Sequence, residues 1–120
     1  MNCVFCNHEN VIFENELAYA VYYKYPVSEG HMLVITKRHK ASFFESTEAE
    51  KEALFQMLGK CKDIIEKEHS PDGYNIGIND GEHAGQTIMH LHIHVIPRYK
   101  GDVEDPRGGV RGVIPYKKVY

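Results

Sequence analysis

Gln86-Thr87-Ile88-Met89-His90-Leu91-His92-Ile93-His94-Val95-Ile96-Pro97-Arg98 is the stretch on which the reading of this chain turns. From His90 to Ile96, histidine alternates with Leu, Ile and Val until a proline intervenes. Successive side chains of a strand point to opposite faces. A period of two therefore places His90, His92 and His94 in one row and Leu91, Ile93 and Val95 in another. Neighbouring histidines in that row would have Cα atoms about 6.5–7 Å apart, twice the rise of a strand. A helix would turn His92 away from the other two. The β-branched residues and Pro97 favour a strand that ends near position 96. Three imidazoles in strict alternation describe a chemical site better than a solvated strand face.

Working upstream, residues 74–79 alternate Ile76 and Ile78 against Asn75, Gly77 and Asn79, which reads as a second strand. Its connection to the histidine strand, Asp80-Gly81-Glu82-His83-Ala84-Gly85, holds two glycines. Those glycines permit a nest of backbone N–H groups suited to a phosphate at Gly85-Gln86-Thr87. An ordinary flexible loop is the alternative, with Asp80 and Glu82 facing solvent. Further back, Thr47 and Glu50 have the spacing of a capping box. The helix they open carries Leu54, Met57, Leu58, Cys61, Ile64 and Ile65 as an apolar stripe. It ends before the turn signal Ser70-Pro71-Asp72-Gly73. Val11-Ile12-Phe13, residues 18–23 and residues 31–36 read as strands, and Lys37 and Arg38 as solvated charges. Residues 99–120 hold four glycines, two prolines and five Lys or Arg. This basic, irregular tail is either solvated or reaches over a phosphate site, its own or a dimer partner's.

A chain of 120 residues fits one domain, 1–120, with a single hydrophobic core. The net charge of −3 and pI near 6.2 leave no footprint for nucleic acid or an anionic membrane. The first residues lack a basic stretch followed by an apolar one, and no apolar run approaches membrane-spanning length. Three cysteines are an odd number for a secreted disulfide framework, so a soluble protein of the reducing cytoplasm is expected. Cys3-Val4-Phe5-Cys6 admits three readings: zinc ligands, a redox dithiol, or two unremarkable thiols. A redox pair should open a helix after a strand, which nothing here suggests. Zinc wants four N or S ligands. With Cys61 isolated, the remaining two would have to be histidines.

His90-Leu91-His92-Ile93-His94-Val95-Ile96 resembles in full the signature of the histidine triad (HIT) family. The flanking Ala84-Gly85-Gln86-Thr87 and Pro97-Arg98, and Gly30-His31-Met32-Leu33-Val34-Ile35-Thr36-Lys37-Arg38-His39 upstream, resemble it too. The resemblance spans Cys3 to at least Arg98. It implies an α+β, HIT-like fold, with a mainly antiparallel sheet of about five strands and one main helix packed on it. Some bacterial members carry a structural zinc; carried across by position, its ligands would be Cys3, Cys6, His39 and His90. Relatives pair as homodimers, so a dimer is expected.

The resemblance also implies hydrolysis of nucleotide derivatives, either dinucleoside polyphosphates or nucleoside phosphoramidates. An imidazole is largely neutral at pH 7 and attacks phosphorus without prior activation, provided the attacking nitrogen is the unprotonated one. His92 would form a nucleotidyl-histidine and release nucleoside monophosphate. His94 would hydrogen-bond the phosphate or its bridging atom, and His31 would be a fourth imidazole nearby. Asn79, Gly85, Gln86 and Thr87 would hold the phosphate or ribose side, and Val4, Phe5 and Val21 the base. Passing the nucleotidyl group to another acceptor is the alternative. One departure stands out. Tyr23 occupies a position where relatives commonly place Asp or Asn against the ribose, and a phenol is far bulkier with a single donor. A zinc-stabilised nucleotide-binding module with little turnover would accommodate it.

Overall fold

In the computed structural model, which describes residues 3–120, the chain forms five strands and one long helix. The strands are β1 (Phe13–Glu14), β2 (Ala18–Tyr22), β3 (Met32–Thr36), β4 (Gly73–Gly77) and β5 (His92–Arg98), and helix α1 is Glu48–Glu68. The strands pair antiparallel in the order β1-β2-β3-β5-β4. This is the α+β architecture expected, with several shifts of boundary. β1 begins at Phe13, although Ile12 already donates to the Ala20 carbonyl. β4 stops at Gly77, two residues short of Asn79. β5 starts at His92 rather than His90, because the Leu91 N–H turns to the Lys40 carbonyl in the loop after β3.

β5 also runs through Pro97 to Arg98 instead of ending at Ile96. A proline is tolerated in a strand only where no ladder donor is needed. The β3–β5 register ends at the Met32–Val95 pair, so Pro97 has β4 on one side only. Its carbonyl accepts from the Ser28 hydroxyl at 2.6 Å, away from Tyr74. In an antiparallel strand the N–H and C=O of a residue point the same way, so the donor that proline lacks would have faced the side that β3 has left.

α1 packs on one face of the sheet. Leu54, Met57, Cys61 and Ile65 of the helix meet Ala18, Ala20, Met32, Val34, Leu91, Ile93 and Val95. The Leu, Ile, Val and Met side chains among them each contribute roughly 1.5–3 kcal/mol by leaving water. The pleat sends Tyr19, Val21, Leu33 and Ile35 to the opposite face, a separate cluster. The helix starts as expected: Glu50 N–H donates to Thr47 Oγ1 at 3.0 Å and Thr47 N–H to Glu50 Oε1 at 2.9 Å. Arg38, expected to be solvated, instead clamps the buried Glu50 through Nε at 3.0 Å and Nη2 at 2.8 Å. The guanidinium holds the Glu50 carboxyl down at about 2. The cap is thereby tied to the end of β3. Lys37 pairs with Glu14 of β1.

Residues 99–120 are more regular than their composition suggests, with short 3-10 turns at Gly109–Val113 and Pro115–Lys117. Arg98 holds Asp102 through two hydrogen bonds of 2.8 and 2.9 Å and starts the return of the chain toward β4. Gly108, with φ +88°, passes so close to Lys118 that a Cβ would lie 2.1 Å from its carbonyl oxygen. Among the described residues, no helix is long and apolar enough to cross a membrane.

Candidate active site and metal cluster

The β3–β5 register sets Ile35 opposite His92 and Leu33 opposite His94, so the last two triad imidazoles stand on the face that α1 leaves bare. His31, one residue before β3, is on the same side by alternation, as is Tyr23 just after β2. The Tyr23 ring lies edge-on to both imidazoles, at 4.8 Å from His31 and 5.5 Å from His94.

Backbone groups decide which nitrogen of each ring is left free. His92 Nδ1 is 2.8 Å from the His90 carbonyl, which can only accept. Nδ1 therefore carries the proton, and Nε2 keeps its lone pair. A second chain of bonds begins at the Val27 N–H, which donates to His31 Nδ1 at 3.1 Å. The His31 proton is then on Nε2 and is donated to His94 Nδ1 at 3.0 Å. That leaves His94 with a proton on Nε2. The two neighbours, 5.2 Å apart between ring centres, thus present opposite faculties: a lone pair on His92 and a donor on His94. Burial pushes His92 and His94 below the ordinary imidazole range, so both are neutral at pH 7. His31, buried and beside His94, is held down to about 4.

His90 is placed differently. It is 0% exposed and its Nε2–H donates to the Thr36 carbonyl at 2.6 Å. Its Nδ1 faces Cys3 Sγ at 3.4 Å and Cys6 Sγ at 3.6 Å, while Cys6 Sγ is 3.0 Å from His39 Nδ1. The four ligand atoms all lie within 4.8 Å of one another, and two thiols with two imidazoles are the donor set of a Cys2His2 site. The Thr36 carbonyl behind His90 is the outer-shell partner that such a ligand requires. This cluster could hold a metal ion. Cys61, by contrast, is buried under the helix with its thiol pushed up to about 12, and it takes no part.

The N-terminal turn Val4–Asn7 carries Phe5 over the imidazole face, 5.0 Å from the His92 ring. The Tyr19 hydroxyl donates to the Phe5 carbonyl and holds the turn down. Beside it opens a cavity of about 680 Å3 lined by Val4, Phe5 and Val21 together with Leu33, Ile35 and Ile88. Nothing local in the sequence singles out the last three. The alternation of β3 was the available signal for Leu33 and Ile35, once its pairing with β5 is known. On the other side of Tyr23 a second cavity, about 560 Å3, has His31, His94 and Asn79 in its wall.

The loop before the triad differs from expectation. The Gly85 and Gln86 N–H groups donate to the Glu82 and Gly81 carbonyls, so these two members of the expected phosphate nest are already engaged. Gln86 is buried. Its Oε1 accepts from Gly81 N–H at 2.8 Å, and its Nε2 donates to the Ala41 and Ile88 carbonyls. Its side chain is a brace within the loop, not a group reaching for a phosphate. Gly85 supplies the φ of +96° that the turn needs, while Thr87 stays exposed. Asp80, expected in solvent, accepts from the Ser42 hydroxyl and the Phe43 N–H, tying this loop to the segment before α1.

Compared with known proteins, the chain matches the HIT domain family over residues 5–101. It is 39% identical over 95 residues to the asymmetrical bis(5'-nucleosyl)-tetraphosphatase of Schizosaccharomyces pombe, an alignment covering 79% of this chain and 52% of that protein. The chain therefore spans about half the length of that relative. A HIT family protein from Bacillus anthracis has a similar structure, with a TM-score of 0.78, 36% identity, and coverage of 84% of this chain and 76% of that one. A zinc-bound histidine triad family protein from Mycobacterium smegmatis is also similar, at a TM-score of 0.78 and 31% identity, covering 88% and 81% of the two chains.

Proposed function

The chain belongs to the HIT family, and from that membership and its imidazole geometry we propose that it hydrolyses nucleotide derivatives at the α-phosphate through a nucleotidyl-histidine on His92. The observation that carries this is the 2.8 Å hydrogen bond from His92 Nδ1 to the His90 carbonyl, which leaves Nε2 as a nucleophile beside the donor on His94. The base enters the apolar cavity under Phe5, and the α-phosphate lies over His92 and His94 with Asn79 and Thr87 at its flank. Attack forms the P–Nε2 bond as the bond from phosphorus to the leaving group breaks, its electron pair departing with the leaving group. The His94 Nε2–H hydrogen-bonds the bridging atom and offsets the charge that develops there. Because His94 is neutral, it serves as a donor and not as an imidazolium acid. Water then attacks phosphorus and the electron pair of the P–N bond returns to Nε2. A leaving nitrogen or alkoxide takes up a proton from solvent as its bond to phosphorus breaks, and the attacking water releases one to solvent in the second step, so that one water is consumed overall.

The tetraphosphatase relative makes dinucleoside polyphosphates one substrate class to test, with nucleoside phosphoramidates the other. We assign Zn2+ to Cys3, Cys6, His39 and His90. With four protein ligands its role is structural, cross-linking the N-terminal turn to the His90 end of the triad. A homodimer is proposed as well, and light scattering that returns the mass of one chain would exclude it. The decisive test of the chemistry is an acid quench during turnover of an adenylyl substrate, followed by intact-mass analysis. Wild type should show an acid-labile nucleotidyl adduct and His92→Ala none. Turnover retained in that variant removes His92 as nucleophile. Transfer to added acceptors in place of water favours a nucleotidyltransferase. AMP binding without turnover favours the binding module that Tyr23 first suggested.

A further inference from the structure

Cys3 and Cys6 stand where two parts of the molecule meet. Both thiols face His90 Nδ1, at 3.4 and 3.6 Å, and Cys6 Sγ also lies 3.0 Å from His39 Nδ1. The chain between them is Val4 and Phe5, and both side chains line the apolar cavity assigned to the base. Phe5 also sets its ring edge-on to His92, with ring centres 5.0 Å apart. The two cysteines therefore bracket the residue that roofs His92. A second hold on Phe5, the Tyr19 hydroxyl on its carbonyl, does not depend on the thiols.

The geometry of the pair suits a disulfide. The Cys6 N–H donates to the Cys3 carbonyl at 3.1 Å and closes a turn. The Cα atoms at the ends of such a turn are less than about 7 Å apart, in the range of the roughly 4.4–6.8 Å that a disulfide spans. The two sulfurs lie within 4.8 Å of each other. Access is unequal. Cys6 is exposed and Cys3 buried, so an oxidant from solvent meets Cys6 first, with Cys3 behind it as the resolving thiol. Cys61, in the core under the helix, is out of reach. Desolvation and the neighbouring Cys3 raise the Cys6 thiol, so the reduced pair answers a sustained oxidant load rather than a trace. The pair opens a 3-10 turn of four residues and not a long helix, so it lacks the setting of a disulfide-exchange catalyst.

We propose that Cys3 and Cys6 form a peroxide-oxidisable modification site, whose disulfide releases the Phe5 turn from the histidine cluster and loosens the base cavity. The Cys6 sulfur attacks one peroxide oxygen and the O–O bond breaks. Cys6 becomes a sulfenic acid, and the departing hydroxide takes the thiol proton and leaves as water. The Cys3 sulfur then attacks the Cys6 sulfur. The S–S bond forms, the S–OH bond breaks, and the hydroxide takes the Cys3 proton as a second water. Two electrons have passed from the thiol pair to the peroxide. A disulfide offers no thiolate to a metal and no S–H to an imidazole, so both cysteines give up His90 and His39 together. The oxidation stands apart from the hydrolytic reading; its effect on nucleotide rests on the base cavity.

The test takes the full chain, reduced and then freed of reductant, through prolonged treatment with excess hydrogen peroxide. Peptide mapping without reduction should show a Cys3–Cys6 link, lighter by two hydrogens, with Cys61 still a thiol. Metal held at the cluster, read by elemental analysis, should leave with the same dose dependence. AMP affinity by calorimetry should fall about three- to tenfold, the scale of a lost aromatic contact, and return with dithiothreitol. In Phe5→Ala the same oxidation should shift affinity less than about twofold, because that contact is already gone. A sulfinic acid on Cys6 alone, a link between chains, or no link at all overturns the site. A mapped disulfide with unchanged AMP affinity overturns its hold on the cavity. Protein that carries no metal from the start counts against the zinc assignment alone, and mapping with calorimetry still decides. If neither form binds AMP, the base-cavity reading falls, and carbethoxylation of His92 by diethyl pyrocarbonate takes the place of calorimetry. Oxidation should speed that reaction about threefold or more as the Phe5 roof lifts, and an equal rate in both forms overturns the release.

Discussion

His90 lies in the bend before β5 and His92 two residues on at its start, and both give a ring N–H to a backbone carbonyl, yet they end in opposite circumstances. His90 donates from Nε2 to Thr36, so its free Nδ1 points at the thiols of the buried Cys3 and the exposed Cys6. His92 donates from Nδ1 to His90, so its free Nε2 is available to a substrate, and the side chain retains 8% exposure. Residue type and approximate burial are shared. The carbonyl that each ring meets decides which nitrogen carries the lone pair, and therefore whether it suits a metal or a phosphorus. The lesson is that an imidazole's task is set less by its own identity than by the backbone acceptor behind it.

The comparison breaks most sharply by exchanging the two losses. His92→Ala should lower kcat by about 10^4-fold or more, the scale expected when a covalent nucleophile is removed, while the melting temperature stays within a few degrees. His90→Ala should do the reverse to the metal, abolishing its retention on gel filtration as read by elemental analysis, and melt several degrees earlier. Cys6→Ser should share that phenotype, because Cys6 contacts both histidines of the cluster. A Cys6→Ser protein that keeps its metal and its melting point would remove the cluster from the comparison altogether.

A subtler test lies at the third imidazole. His31 fixes the His94 tautomer by passing on the constraint of the Val27 N–H, so His31→Phe should cost about 10- to 100-fold in kcat with a smaller change in KM. It should also alter the acid limb of stability. The unfolded chain protonates His31 near 6.5, whereas burial and the neighbouring His94 hold the folded group at about 4. Between those values the unfolded state binds more protons. Stability contributed by the neutral ring is fully present above about pH 6.5 and is lost as the pH falls toward 4, with an upper bound of about 3 kcal/mol. Denaturant midpoints of wild type and His31→Phe should converge as the pH drops through this window. Parallel curves would show that His31 is not the group that titrates.

Much of this arrangement could be read from residues alone, and the parts that could not share a cause. The alternation at His90–Ile96 and the stripe from Leu54 to Ile65 are period signals, and Thr47 with Glu50 is a spacing signal. All three are local signals, and each is met by the element it announces, although β5 itself begins only at His92. What the sequence left open depends on partners far along the chain. Thr36 lies 54 positions from His90, Ala41 lies 45 from Gln86, and Asp80 lies 38 from Ser42. Arg38 looked like a surface charge because its partner Glu50 already had a local role in the cap. Pro97 departs from its local signal for a related reason. Whether a proline ends a strand depends on whether a neighbouring strand needs its N–H, and β3 stops before that point.

The smallest effect expected on catalysis separates the brace from the phosphate ligand at Gln86. Its amide answers the Gly81 N–H and the Ala41 and Ile88 carbonyls in a buried loop. Gln86→Ala leaves those groups short of partners, which should cost about 1–3 kcal/mol of stability in denaturant unfolding. AMP affinity, measured by calorimetry at a temperature where the variant is fully folded, should change by less than about threefold, since the side chain is already committed within the loop. If Gln86 instead gripped the phosphate, the pattern would invert, with affinity falling tenfold or more and stability near wild type. Thr87→Ala supplies the complementary measurement one residue on: an exposed hydroxyl can be lost with little effect on folding, so any change it brings must be read in the affinity.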